Sequence, residues 1–429
     1  MAARMFWAAV GLIGWVYAGY PLAAHLAGRI RPVRVDMDGT PVGSVTVGIA
    51  IHDEADEIAA RIADVFAQEL DAELEVIVAS DGSTDGTDRV VEELAAADPR
   101  IRLLSLSRGG QTAAQNRIMT ESRSEVVILT DAETRFEPGC LAALVAPFSD
   151  PRVGATTGVL LWRNLGDTRT SRHEGFYWSY EQSVRRAESR AGWLTAATGA
   201  LLALRRELIE PVPEHSSFDH IAPLQVKEAG RLILAVQGAV ATDVVVDGLG
   251  DQFRARSRTA TRGIAANLAM AGRLPPWRRP SASIAIWSHK LLRWASPWAV
   301  LVACISGSWL AARGKPIYGV LPAAVSTVAL AAVLEFRKRR ALRPGTRVGT
   351  ASLAIMSVNA AFMRGWLNVL ARRRIYLWHG RDWQAEGTSE RPSRLQGWHL
   401  VHVWAISPGA ARSVHVLRDP GADRLVLEP

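Results

Sequence analysis

The sequence predicts an α/β domain on a Rossmann-like, mostly parallel sheet, set between apolar helices. Three observations predict it. Residues 44–165 alternate short β-rich runs with stretches of helical spacing, apolar blocks lie near both ends of the chain, and basic clusters follow those blocks directly. The 429 residues leave room for one large domain or two ordinary ones. A composition of 48% hydrophobic and 21% charged residues fits neither a disordered chain nor a uniform membrane bundle.

The elements follow in order. Val45–Ile51 is a β-rich run, and Glu54–Gln68 has helical spacing. Glu73–Ala79 is a second β-run, followed by a turn and a helix over Asp85–Ala97. Ile101–Leu106 is a third strand, Thr112–Ser122 a helix, and Glu125–Thr130 a fourth and almost wholly apolar strand. Pro138 opens a further helix, at a position where a missing N–H costs nothing. Apolar strands separated by amphipathic helices imply a parallel sheet covered on both faces. Residues 172–270 read as mostly helical, with a strand-like insert near Leu232–Ala241.

The ends read as membrane segments. Residues 5–27 form the first apolar block; no small-residue cleavage site follows it, and its arginines come after it, so it reads as an uncleaved anchor with its C-terminal end inside. Ile284–Trp294 is short and carries His289, Lys290 and Arg293, which reads as an interfacial amphipathic helix. Spans are expected near Pro297–Ala312, Tyr318–Phe336 and Ala351–Leu370. The last holds Asn359, Arg364 and Asn368, and suits a helix packed against protein better than one facing lipid. The organisation is therefore an anchor over 1–30, a globular domain over 44–270, an interfacial helix over 281–295, membrane helices over 296–374, and a tail over 375–429 without a legible pattern.

The net charge of +8 admits a nucleic-acid or a membrane partner. Arg29, Arg31 and Arg34, Arg337 to Arg340, and Arg372 to Arg374 all follow apolar blocks, which favours the lipid bilayer and a multi-pass inner-membrane protein over nucleic acid. Four full crossings do not satisfy every basic cluster, so either the last segment crosses incompletely or an earlier one is re-entrant. The two cysteines, Cys140 and Cys304, build neither a disulfide framework nor a thiolate metal site, which fits a reducing compartment.

Five motifs carry chemistry. Ala79-Ser80-Asp81-Gly82-Ser83-Thr84-Asp85-Gly86-Thr87 lies between a strand and a helix, where open parallel sheets bind ligands. A carboxylate there accepts hydrogen bonds from a nucleobase or a ribose hydroxyl; the plainer reading is a loop with a helix cap. Asp131 and Glu133, two apart at a strand end, suit one Mg²⁺ or Mn²⁺ held together with a substrate diphosphate; the plainer reading is a turn with solvated acids. Asp53 and Glu54 end the first strand. Asp219 stands among apolar neighbours in Ser217-Phe218-Asp219-His220. Arg254, Arg258 and Arg262 share a helical face that suits a diphosphate or, equally, anionic lipid.

In this order, over Val45–Arg262, these motifs resemble family 2 glycosyltransferases with a GT-A fold, in the membrane-bound exopolysaccharide branch. The resemblance implies an enzyme, hexosyltransferase-like, taking a nucleotide-sugar donor and a lipid-linked or saccharide acceptor. It implies donor binding by Asp53, Glu54, Asp81, Gly82, Ser83, Asp131, Arg258 and Arg262, and a metal at Asp131 and Glu133. Gly199 and Ala200, ahead of Ala203-Leu204-Arg205-Arg206, resemble the acceptor-side segment, and Asp219 stands where the catalytic base is expected. The chain departs from the family at Asp53, where Asn is usual, at Gly109-Gly110-Gln111, where Lys is frequent, and at Glu133, where Asp is usual. The usual acidic pair before the base is reduced to Phe218-Asp219, and the Q-x-x-R-W signature of processive synthases is missing. Those departures keep two alternatives open, an inactive membrane scaffold of a polysaccharide-assembly complex and, within the same chemistry, transfer of one sugar to a lipid phosphate.

Overall fold

The computed structural model describes residues 1–162, 169–243, 249–340, 345–373 and three tail strands, with side chains left undescribed at 169–178, at 249 and in the tail. The chain divides into Met1–Trp378 and His379–Pro429. Arg374 and most of the tail over 375–429 lie outside the described residues. Within the second unit His399–Trp404, Ser413–Arg418 and Leu425–Leu427 form an antiparallel sheet with Ser413–Arg418 in the middle.

The first unit opens with a long helix, α1 (Ala2–Ile30). The strands β1 (Ser44–Ile51), β2 (Glu73–Asp81), β3 (Ile101–Leu106) and β4 (Val126–Thr130) follow, separated by α2 (Ala55–Phe66), α3 (Thr87–Ala97) and α4 (Gln111–Glu121). Then come β5 (Arg135–Phe136), α5 (Cys140–Val145), β6 (Val153–Trp162), α6 (Arg169–Ala191), β7 (Leu202–Arg205), α7 (Phe218–Glu228), β8 (Leu232–Asp243) and α8 (Leu249–Ala271). The eight strands lie in the order β3-β2-β1-β4-β7-β6-β8-β5. The first four are parallel, as are β6 and β8, whereas β4–β7, β6–β7 and β5–β8 pair antiparallel, so the sheet is mixed.

Burial explains the arrangement. β4 is buried at every position and β1 at all but its first, as expected of strands covered on both faces. One core gathers Val45, Val47 and Ile49 of β1 with Ile58 and Ile62 of α2 and Leu141 and Leu144 of α5. The opposite face packs Ile77, Val127 and Leu129 against Ile118 of α4, Ile221 of α7 and Ile264 of α8. Gly48 of β1 is required there, because a Cβ would meet Ile118 Cγ2 at 2.4 Å.

Among the described residues, four helices are long and apolar enough to cross a membrane: α1, α9 (Pro280–Ala312), α10 (Pro316–Arg340) and α11 (Arg347–Leu370). α1 packs on α9 through Phe6, Ala9, Ala303 and Leu310. The segment expected to be an interfacial amphipathic helix is instead the start of α9, and its charges point into protein. Lys290 and Arg293 reach Glu181 of α6 at 3.1 and 2.5 Å, and His289 bridges Glu188 and Glu181 at 2.8 and 3.2 Å. Arg185 also meets Glu181, at 3.1 Å, and Tyr20 of α1 donates to Glu188 at 2.5 Å. Burial opposes the charge on Glu181, yet Lys290, His289 and Arg293 hold its carboxyl well below the ordinary range.

Of the polar residues of α11, Asn368 reaches the globular domain, Arg364 is exposed and Asn359 bonds its own helix. Asn368 Nδ2 donates to Thr261 Oγ1 of α8 at 3.1 Å, and a Cβ on Gly365 would sit 2.8 Å from that of Ala260. The second half of α11 is thus seated on the globular domain.

Candidate active site

Parallel strands bring their C-terminal ends to one edge, and adjacent strands lie ~4.8 Å apart. In the order β2-β1-β4, Asp81, then Asp53 and Glu54, then Asp131 stand side by side at that edge.

Asp53 stitches two loops together. Its backbone takes a left-handed φ of 54°, its N–H donates to Ser83 Oγ at 3.1 Å, and its carboxylate accepts from the Thr84 N–H at 2.7 Å. The Glu54 N–H donates to Thr87 Oγ1 at 2.9 Å. The Glu54 carboxyl is pushed up to about 7 by burial and then by Glu133, Glu57, Asp85 and Asp131.

Asp81 is 1% exposed, and its carboxylate is already gripped. It accepts from the N–H groups of Gly109 at 2.6 Å and Gly110 at 2.9 Å, and from Arg108 at 3.0 Å. Gly82 sits at φ 66°, where a Cβ would reach the Arg108 nitrogen at 3.0 Å. At Gly109-Gly110-Gln111 the sequence departs from the family's frequent Lys. The loop instead fixes Asp81 through two backbone donors, and Gln111 donates to Asp131 Oδ1 at 3.2 Å.

Asp131 follows β4, whose last residue, Thr130, accepts from buried Arg61 at 2.8 Å. The Asp131 carboxyl is pushed up to about 7, by burial first and then by Asp243, Glu133 and Asp219. Asp243 was not singled out from sequence. It closes β8 beside Thr134, whose hydroxyl reaches it at 3.4 Å, and no motif marks it. Glu133 is exposed.

Asp219 lies in the first turn of α7 and accepts from the Ser217 hydroxyl. Burial raises its pKa, but His220, the Ser217 bond, Arg262 and Arg185 outweigh that and lower it, so Asp219 is ionised at neutral pH. Burial lowers His220 to about 4 against the opposing pull of Asp219, and its Nδ1 has no hydrogen-bond partner among the described residues. Gly199 backs onto Asp219: a Cβ there would lie 3.6 Å from the Asp219 Cβ. Ala200, beside it, is buried. The structure therefore joins the Gly199 segment to Asp219.

The arginine face divides. Arg262 is buried and donates to the Ser216 carbonyl at 3.1 Å and to Thr112 Oγ1 at 2.6 Å, so it braces the loop before Asp219. Burial lowers it to about 10, which leaves it charged. Arg254 pairs with Asp251, and Arg258 is half-buried.

The donor set suits a hard divalent cation: it is all carboxylate oxygen, and Asp131 is crowded by like charge. Among the described residues no three such side chains enclose a metal by themselves. That matches the habit of Mg²⁺ and Mn²⁺, which take one or two carboxylates and leave the remaining positions to water and substrate phosphates.

The fold is that of GT-A glycosyltransferases. The family model described as Glycosyl transferase family 2 matches residues 46–212, the stretch that builds most of this edge. The chain is 27% identical over 271 residues to an N-acetylglucosaminyltransferase of Rhizobium sp. (strain N33), covering 59% of this chain and 60% of the relative. It is 27% identical over 266 residues to an N-acetylglucosaminyltransferase of Mesorhizobium japonicum, covering 58% and 63%. The match thus spans about three-fifths of the length of these relatives. Among solved structures, the mannosyltransferase from Pyrobaculum calidifontis in complex with GDP-Man and Mn²⁺ superposes with a TM-score of 0.62 at 23% identity, over 87% of this chain and all of that one. This likeness shows the fold.

Proposed function

We propose that this protein is an inverting glycosyltransferase. It moves a sugar from a nucleoside-diphosphate donor to a membrane-associated acceptor in cell-surface polysaccharide or glycolipid synthesis. Its catalytic domain faces the cytoplasm at the inner membrane. The observation that carries the reading is the meeting of Asp81, Asp131 and Asp219, from three separate segments, around one strand edge of a family 2 domain. The basic clusters after the apolar helices support the orientation.

Asp81, Gly82, Ser83, Asp53 and Glu54 form the nucleoside end. Asp81 shares its second oxygen with Arg108, which is 30% exposed and would have to move for a base or ribose donor to reach that oxygen. Asp131 and Glu133 would hold Mg²⁺ or Mn²⁺, which neutralises the charge of a leaving diphosphate when bound. Asp219, ionised and backed by Gly199 and Ala200, takes the proton of the acceptor hydroxyl as that oxygen attacks the anomeric carbon. Inversion follows because the acceptor and the departing diphosphate lie on opposite sides of that carbon. Arg258 adds charge near the diphosphate, and Arg262 braces the loop carrying Asp219.

A second reading, a scaffold without turnover, is favoured by one observation: Asp81 is already saturated by Gly109, Gly110 and Arg108. Incubating the purified protein with UDP-, GDP- and TDP-sugars, a membrane lipid extract and Mn²⁺ separates the two. The enzyme reading expects nucleoside diphosphate release that needs both metal and extract. No release with any donor, in folded protein, would leave the scaffold.

A further inference from the structure

A second polar site lies away from the carboxylate edge. Where the last turns of α1 cross α6, a groove of about 200 Å³ opens, lined by His25 and Arg29 of α1 and by Ser183, Arg186 and Arg190 of α6. The helices touch closely, because a Cβ on Gly28 would meet Arg190 Cβ at 2.9 Å. No acidic residue lines the groove.

The side chains of Arg29, Arg186 and Arg190 make no hydrogen bond or ion pair with any described residue, and all three residues are exposed. The inner face of the same helix behaves differently, since Arg185 there is paired with Glu181. Arg186 and Arg190 stand four apart, where like charges repel and disfavour the helix. Three guanidinium groups around one cavity call for a counter-anion. Guanidinium forks fit phosphate oxygens in pairs of parallel hydrogen bonds. His25 adds a ring nitrogen, Nε2, 3.4 Å from Ser183 Oγ.

The surroundings decide which phosphate. Arg29 lies in the last turn of a helix of membrane-spanning length, where a spanning helix would meet the headgroups. Beside it Leu22, Leu26 and Ile30, each four apart, are 60%, 47% and 74% exposed. A basic notch next to an exposed apolar stripe fits a molecule that is anionic at one end and aliphatic at the other.

We propose that this groove binds the phosphate of an anionic glycerophospholipid, with its acyl chains along Leu22, Leu26 and Ile30. The proposal rests on α1 lying in a membrane and not on sugar transfer, so it stands or falls separately from the catalytic reading.

The test uses the full chain purified in neutral detergent. Retained lipid is counted by native mass spectrometry after exposure to dioleoyl phosphatidylglycerol or dioleoyl phosphatidylcholine. The phosphatidylglycerol adduct is expected to persist and the phosphatidylcholine adduct to be lost. R186Q/R190Q is expected to retain the anionic lipid about tenfold more weakly, and R29Q to weaken it in the same direction. R337Q/K338Q, which removes the same charge from the end of α10, is expected to behave as the parent protein. All these side chains are exposed, so folding is preserved, and an unchanged melting temperature verifies it. Equal retention of both lipids, an equal loss in R337Q/K338Q, or displacement of phosphatidylglycerol by inorganic phosphate at a similar concentration would each overturn the proposal.

Discussion

Asp219 sits in the first turn of a helix, held ionised by a hydroxyl and two arginines and backed by a glycine. Replacing it with Asn keeps its shape and removes its basicity. Turnover of Asp219→Asn is expected to fall ~10²–10⁴-fold with donor affinity retained; unchanged turnover in a steady-state assay would remove Asp219 from the mechanism. Asp131 and Glu54 behave oppositely, since both stand near 7, above the ordinary carboxylate range. Between that range and about 7 the folded protein holds protons that the unfolded chain has released. Stability therefore falls as pH rises through this window and levels off above it. Mn²⁺ offsets the repulsion between the ionised groups, so it should raise Tm more at about pH 8 than at about pH 5.5. Equal shifts at both would contradict the assigned metal residues. Asp81, Asp131 and Asp219 were legible because each follows a strand or opens a helix in a recognisable string. Gly109 and Gly110 were not, because backbone donors leave no side-chain signal, and Asp243 was not, because nothing around it in sequence marks it.

The β1 to β4 half of the sheet was legible within a residue or two, because apolar runs between amphipathic helices have one simple solution. β6 was not, since Val153–Trp162 carries two glycines and two threonines among its apolar residues and lacks the continuous apolar run of β4. β7 was hidden by its length of four residues. The start of α9 was misread for a physical reason. His289, Lys290 and Arg293 look solvent-seeking in isolation, and their acidic partners, Glu181 and Glu188, lie 101 to 112 residues earlier. Removing one member of such a buried cluster strands the opposite charges. Glu181→Gln is expected to destabilise the protein by about 3–5 kcal/mol. Denaturation in detergent measures it; a loss below about 1 kcal/mol would show that the network is not held tightly.

At the scale of the molecule, a family 2 domain is attached to helices of membrane-spanning length by packing as well as by sequence. α9 reaches it through charges, with Trp294 set edge-on to His220, and α11 reaches it through Gly365 and Asn368 on α8. A helix docked along the domain has no obligation to cross fully, which would ease the conflict among the basic clusters. The acceptor is then expected to arrive from the membrane side, next to Gly199 and Asp219. The most direct test of the central claim is donor binding by the purified protein, followed by thermal shift with UDP-, GDP- and TDP-sugars, with and without Mn²⁺. One nucleotide class should stabilise the protein in a metal-dependent way, by about 2.7 kcal/mol at a hundred times its Kd. No shift with any donor, in protein shown to be folded, would contradict the account.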